Sequence, residues 1–243
     1  MDVREDFGVI DSFEKTPDGV RMYFSKDGQR ENAEASLAVI AIGWVANTAG
    51  LELARAGVET NKRDFVLVDK YLKTSADHIF AAGDITGRMM LVPQAIQAGF
   101  VAATNAVRGA IMKELDAPAP IGSFTEPEYA QVGLTETRAR ENHEVVVTKI
   151  SFDSTTRTII DGRTNGFCKL IVDVKSRQIL GCHVVGERAV EITQIAAVCM
   201  AARMPVGNLA EVPLSFPTYA GVLGRAAAQA SHSLNLKLNW QAN

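Results

Sequence analysis

Gly8–Glu14 (GVIDSFE) and Val20–Ser25 (VRMYFS) alternate apolar and polar positions, the period of two expected of strands with one covered face. Thr16-Pro17-Asp18-Gly19 lies between them, and it predicts a hairpin turn. Proline presets one turn dihedral and glycine supplies a positive φ. A second turn at Lys26-Asp27-Gly28 opens a polar stretch. Leu37-Ala38-Val39-Ile40-Ala41-Ile42 is a continuous apolar run closed by Gly43, which predicts a strand buried on both faces, as in a parallel sheet flanked by helices. Leu51–Ala56 predicts a short helix stopped by Gly57, and Phe65–Val68 a strand. His78–Asp84 predicts a third buried strand that runs into a glycine and a carboxylate. From Val92 to Leu115 small and apolar residues recur at helical spacing, with Pro93 acceptable because it falls in the first turn.

Asp116-Ala117-Pro118-Ala119-Pro120 is the best linker in the chain, and the texture changes after it. Ala130–Gly133, Val145–Phe152, Phe167–Val174 and Ile179–Val185 predict strands. The last two are joined tightly through Ser176-Arg177, so they should pair antiparallel. Ala189–Arg203 predicts a nearly all-apolar helix and Tyr219–Leu236 an alanine-rich one. Strands followed by helices imply an α+β unit with helices on one face of an antiparallel sheet.

Composition narrows the function classes. With 243 residues, 47% of them hydrophobic and 22% charged, the chain can build a real core without staples. A formal charge of −3 argues against a nucleic-acid binder that works by neutralising phosphates. No apolar run reaches the roughly 18 residues of a membrane span. Met1–Glu14 carries five acidic residues and no apolar core of a signal peptide, so a cytoplasmic location is expected. Three widely spaced cysteines, Cys168, Cys182 and Cys199, fit a reducing compartment and form no metal pair.

The chemistry-bearing string is Ile79-Phe80-Ala81-Ala82-Gly83-Asp84, followed by Gly87 and by Leu91-Val92-Pro93-Gln94-Ala95. A strand ending in Gly-Asp puts a carboxylate where α/β sheets bind ligands, outside the strand C-termini. Gly83 allows close approach to the backbone, and Asp84 suits a ribose or ribityl hydroxyl. A helix starting near Val92 would aim free N–H groups at the same spot. The alternative is that Asp84 only caps a turn.

These residues carry a resemblance. Ala41-Ile42-Gly43 with Asn47, then Ile79–Asp84, then Leu91–Ala95, resemble the pyridine nucleotide-disulfide oxidoreductases, FAD enzymes that include dihydrolipoamide dehydrogenase, glutathione reductase and mercuric reductase. Phe124, Pro127 and Ala130 with Val132–Glu136, then Gly166–Leu170, then Ile179–Gly186 and Glu191, are similar to the interface domain of that family. The resemblance implies an α/β partial FAD/NAD(P)-binding domain followed by an α+β dimerisation domain. Residues 1–42 would be the tail of the nicotinamide domain, 43–120 the C-terminal part of the flavin domain, and 121–243 the dimerisation domain. It implies FAD contacts at Gly83, Asp84, Met90, Leu91, Val92 and Ala95, a nicotinamide contact at Gly43, and a homodimer.

The family also carries GxGxxG phosphate loops and a redox CxxxxC, and this sequence contains neither. The chain therefore matches the C-terminal half of such an enzyme, with weak or absent FAD affinity and no catalysis by itself expected. The alternative is a dimerisation module that retains only homodimer formation. Where the disulfide-reducing members end in His-Pro-Thr followed by Glu, this sequence has Phe216-Pro217-Thr218-Tyr219-Ala220-Gly221. A phenyl ring cannot shuttle a proton, so no catalytic residue is assigned. Tyr219 is expected to pack, His183 to be a structural histidine on its strand, and Cys168 and Cys182 to be small core fillers. Arg157, Asp161, Arg163 and Thr164 are expected to form a solvated loop.

Overall fold

The computed structural model describes residues 8–240. The chain packs as two compact units, Met1–Val45 and Ala46–Asn243.

The first unit is an antiparallel meander of β1 (Ile10–Thr16), β2 (Gly19–Lys26) and β3 (Gln29–Ala35). The Pro17-Asp18 turn closes the first hairpin in the register Thr16↔Gly19, and the Asp27-Gly28 turn closes the second in the register Lys26↔Gln29. Gln29–Ala35 has too few apolar positions to announce a strand. It is held by cross-strand pairs instead: Arg21 bonds Glu34 at 2.6 Å, and the Arg30 guanidinium sits 4.3 Å from the Tyr23 ring centre.

The Leu37–Ile42 expectation is overturned. The run belongs to no strand, and Leu37, Val39, Ile40 and Ile42 are all exposed. A two-faced buried strand needs neighbours on both edges, and no described residues flank this segment in a ladder.

In the second unit, Phe65–Val68 and His78–Asp84 also fail to form the expected strands. Val66 makes an isolated bridge to Thr60, Phe80 one to Lys73, and Gly83–Thr86 is a 3₁₀ turn. Leu53–Ala56 is a short 3₁₀ helix ending at Gly57, as the sequence suggests. Helix α1 runs over Val92–Arg108, with Pro93 in its first turn, and ends seven residues before the expected Leu115. Asn105, 1% exposed, enforces that stop. Its amide donates to the carbonyls of Tyr71 (2.9 Å) and Met112 (2.7 Å), and its oxygen accepts from the N–H groups of Ile111 and Met112. Leu72, Ala98, Val101 and Ala102 form a small core under this helix.

Beyond the Pro118–Pro120 stretch lies a five-stranded antiparallel sheet in the order β4-β5-β8-β7-β6. Its strands are β4 (Ile121–Ser123), β5 (Tyr129–Gly133), β6 (Val145–Ser151), β7 (Phe167–Asp173) and β8 (Ile179–Val185). Two short helices, α2 (Glu136–Arg140) and α3 (Thr156–Ile160), lie in the connections. Helices α4 (Ala189–Ala201), α5 (Val206–Glu211) and α6 (Gly221–Ser233) follow. Alternate residues of the sheet, including Val132, Leu170, Val172 and Val184, join Ile192, Ala196, Leu223 and Ala227 in one continuous core. The other face is mixed, with Ile171 fully buried on it beside polar and charged residues. Lys169 pairs with Glu136 at 2.5 Å, and His183 meets the Leu134 carbonyl at 3.0 Å, the structural role expected of it. The period-two pattern marks the face that meets the helices, while the second face is only partly open to solvent.

Candidate functional site

Six of the seven residues marked by the sequence come together around the start of α1. Gly83 takes φ +76°, a conformation that disfavours side chains, and a β-carbon placed on it would stand 3.3 Å from that of Ala95. The 3₁₀ turn Gly83–Thr86 therefore lies directly against the first turn of α1. The turn is closed locally, with the Thr86 hydroxyl on the Gly83 carbonyl at 2.8 Å and the Gly87 N–H on the Asp84 carbonyl at 3.0 Å. Those bonds use the backbone carbonyls of Gly83 and Asp84, and Asp84 itself is exposed to solvent.

Met90 and Leu91 are half-buried and lead into α1, while Val92 is exposed. Leu91 occupies the N-cap position with an extended backbone, and no side chain caps the helix. No acidic residue sits in the first turn either. The partial positive charge of a seventeen-residue helix therefore has no internal counter-charge there.

Gln94, in the same turn, is a feature that sequence reasoning missed. Its Oε1 is buried and accepts no hydrogen bond from any described residue. Glutamine is common on helices, so nothing in its sequence context could have marked it. Gly43, the seventh residue, belongs to the first unit, where it has φ +127° in irregular chain.

A second cluster joins α3 to the loop before α6. The Tyr219 hydroxyl donates to Asp161 Oδ2 at 2.7 Å, and Arg157 Nε reaches the same oxygen at 2.8 Å. The Tyr219 ring lies 6.4 Å from that of Phe152, so Tyr219 packs as expected. Asp161 and Arg163 are exposed, as expected of a solvated loop, and they also carry surface pairs, Asp161 with Arg157 and Arg163 with Glu126 at 2.7 Å. The hydrogen bond from Tyr219, reinforced by Arg157, holds the Asp161 carboxyl below its ordinary range. Burial, then the facing carboxylate, pushes the Tyr219 phenol up to about 12.

Phe216 is 80% exposed, three residues before this tyrosine. Cys168 and Cys182 are fully buried free thiols on adjacent strands, the core fillers expected of them. Contact with Cys182 and burial raise the Cys168 thiol well above its ordinary value. Among the described residues no group of three or more His, Cys, Asp or Glu is placed to hold a metal ion, and no helix is long and apolar enough to cross a membrane.

An antiparallel five-stranded sheet backed by helices, preceded by a turn-and-helix segment with an exposed carboxylate, is the arrangement of flavoprotein disulfide reductases. The solved structure of the HOCl-induced flavoprotein disulfide reductase RclA from Escherichia coli superimposes with a TM-score of 0.77 at 26% identity, covering 90% of this chain and 50% of that one. The family model described as pyridine nucleotide-disulphide oxidoreductase matches residues 9–99, and that family's dimerisation domain matches residues 119–227. The chain belongs to the pyridine nucleotide-disulphide oxidoreductase family. A mercuric reductase of Lysinibacillus sphaericus is 34% identical over 209 residues, which are 85% of this chain and 38% of that protein. A dihydrolipoyl dehydrogenase of Thermus scotoductus is 32% identical over 230 residues, 92% of this chain and 50% of that protein. The chain spans between a third and a half of the length of the curated relatives it matches.

Proposed function

We propose that this chain supplies one side of an FAD site, together with the dimer-forming unit, of an NAD(P)H-dependent flavoprotein oxidoreductase, and that it transfers no hydride by itself. The observation that carries this reading is the surface at the start of α1. There an exposed carboxylate at Asp84, an uncapped helix end and the orphaned Gln94 oxygen fall within one eleven-residue stretch, 84–94. The group fits. Ribityl hydroxyls and the flavin ring N–H are donors suited to Asp84 and to Gln94 Oε1, and the backbone of Met90, Leu91 and Val92 offers a ring edge N–H groups free of a cap. When bound, FAD would supply the redox chemistry. The chain's own residues bind and orient it, and the positive end of α1 favours negative charge at the ring edge. Gly43 would lie against the nicotinamide cofactor.

The division into a nicotinamide-domain tail up to residue 42, a flavin-domain part from 43 to 120 and a dimerisation domain from 121 to 243 belongs to the same reading. Because the sequence contains no GxGxxG loop, the pyrophosphate has no glycine cradle here, and FAD affinity should be low. Phe216 and Gly221 stand where the disulfide-reducing members carry an acid/base pair. Proton transfer to a thiol by that route is therefore absent, which favours other electron acceptors.

The test is an FAD titration of the purified chain followed by flavin fluorescence. Weak, reversible binding that Asp84→Asn weakens further supports the site. A stoichiometric yellow protein that keeps its flavin through dialysis overturns the low-affinity reading, and binding indifferent to Asp84→Asn overturns the site itself.

A second reading rests on the dimerisation-domain match: the chain acts as a homodimerisation module. Helix α4, apolar nearly all round, leaves Val198 67% exposed, and that residue is available to an isologous contact. Sedimentation equilibrium decides this, and a monomer at micromolar concentration removes the reading.

A further inference from the structure

Residues 87–91 carry the backbone from the 3₁₀ turn into α1, and this stretch is braced from outside at one side chain. Up to Gly87 the turn is seated by Phe65 and Val66. The Val66 N–H donates to the Ile85 carbonyl at 2.9 Å, and a β-carbon placed on Gly87, at φ +65°, would collide with the Phe65 ring. At Leu91 the first bond of α1 takes over, with the Ala95 N–H on the Leu91 carbonyl at 2.9 Å. Between these points, among the described residues, every hydrogen bond to another segment comes from the Arg88 side chain.

Arg88 reaches two segments at once. Its Nη2 donates to the carbonyls of Val68 (2.7 Å) and Asp69 (3.1 Å), and its Nη1 donates to the Glu114 carboxylate. Both anchors are themselves fixed. The Asp69 carboxylate accepts from the N–H groups of Tyr71 (2.8 Å) and Lys73 (3.0 Å), and the Glu114 N–H donates to the Lys70 carbonyl at 2.9 Å. The same turn holds the entry side of the site, because the Ala81 N–H donates to the carbonyl of fully buried Leu72 at 3.0 Å. Entry at Ala81 and exit at Arg88 therefore share one base. A planar guanidinium suits this task, since it spans two carbonyls and a carboxylate in fixed directions. With Glu114 beside it the cation is paired, so Arg88 is a brace and not an anion site.

We propose that Arg88 is a positioning residue of the flavin site, holding the backbone of residues 89–92 where its N–H groups meet the ring edge. This rests on the flavin reading of the α1 surface. The N–H groups of Met89, Met90 and Leu91 have no partner among the described residues, so the brace and the helix start decide where they point. Asp84 lies ahead of Gly87, on the side seated by Phe65 and Val66, and its placement does not need Arg88. The two residues therefore govern different parts of the cofactor, Asp84 the ribityl chain and Arg88 the ring.

FAD titration of the full chain, followed by flavin fluorescence and by the visible spectrum at saturation, tests it. Asp84→Asn should weaken binding and leave the spectrum of the bound flavin as in the wild type. Arg88→Met keeps the stem of the side chain and removes all of its hydrogen bonds. It should weaken binding about tenfold, the upper worth of one hydrogen bond, and move the visible band of the bound flavin back toward that of free FAD. A residue that served stability alone would lower the unfolding midpoint and leave the bound spectrum unchanged, and that result overturns the proposal. Arg88→Lys keeps a cation beside Glu114 and loses the fork, so it should show a smaller shift of the same sign. It decides the matter if Arg88→Met does not fold. A wild type that binds no FAD overturns the flavin reading and this proposal with it. Wild-type binding that Asp84→Asn weakens and neither Arg88 variant alters overturns the proposal alone.

Discussion

The Tyr219 hydroxyl donates to Asp161 Oδ2 at 2.7 Å across 58 residues of sequence, tying the loop before α6 to the end of α3. Burial of the phenol, and then the two negative oxygens that its deprotonation would bring together, raise its pKa to about 12. A folded value above the unfolded one, near 10, means that the stabilisation is fully present below pH 10 and is lost as the pH rises through 12. Spectrophotometric titration of the wild type should show a late phenolate step that Tyr219→Phe abolishes. Asp161→Asn should move that step to lower pH. A late step that persists in Tyr219→Phe would assign it elsewhere.

Asn105 makes four hydrogen bonds from a site 1% exposed, and through them it ends α1 and fixes the segment after it. Asn105→Ala removes the side-chain partner of two carbonyls, on half-buried Tyr71 and exposed Met112, and of two N–H groups. The expected loss is about 1–2 kcal/mol in urea unfolding, because water can reach part of the freed backbone groups. Asn105→Asp keeps the acceptor and loses the donors, so it should recover only part of that loss.

How far the sequence is legible depends on where each segment's burial comes from. Strands β5 to β8 and helices α4 and α6 could be found because each alternation or apolar face is satisfied by neighbours within the same hundred residues, such as Leu170 and Val184 against Ala196 and Ala227. Leu37–Ile42, Phe65–Val68 and His78–Asp84 form no strand, for the converse reason. An apolar run specifies a need for burial but not the strands that meet it, and Leu37 and Ile42 remain exposed. Strand β3 is not legible in the sequence because ion pairs such as Arg21–Glu34 hold it, and these leave no periodic trace. At the candidate site, Gly83, Asp84 and Ala95 could be named because glycine and carboxylate next to a helix start have a local meaning. Gln94 could not, because its significance lies in a missing donor that only three-dimensional packing reveals.

The three cysteines are free and buried, Cys168 and Cys182 completely. Reaction with a disulfide reagent needs an accessible thiolate, and burial both blocks access and disfavours the charged form. The native protein at pH 8 should therefore release almost no thionitrobenzoate within minutes, and three equivalents after denaturation in guanidinium. Rapid labelling of one thiol in the native protein would show that the sheet-and-helix core opens on that timescale.

Val92, Ile96, Phe100 and Val107 are exposed along one stripe of α1, and they fall at the spacing of a helix face that ordinarily meets a partner. Since Phe100 is 72% exposed, it adds little to the stability of the chain alone. Phe100→Glu should therefore change the unfolding free energy by no more than about 0.5 kcal/mol. The same substitution breaks the stripe in the middle, and exposed apolar area of this kind drives self-association. Light scattering should accordingly show a smaller concentration-dependent rise for Phe100→Glu than for the wild type. The dimerisation unit, whose core shares no residue with the one under α1, should keep its own association state in sedimentation. If Phe100→Glu instead unfolds the chain, the stripe is part of the fold of the isolated polypeptide, and the surface assigned to a partner is already covered within it.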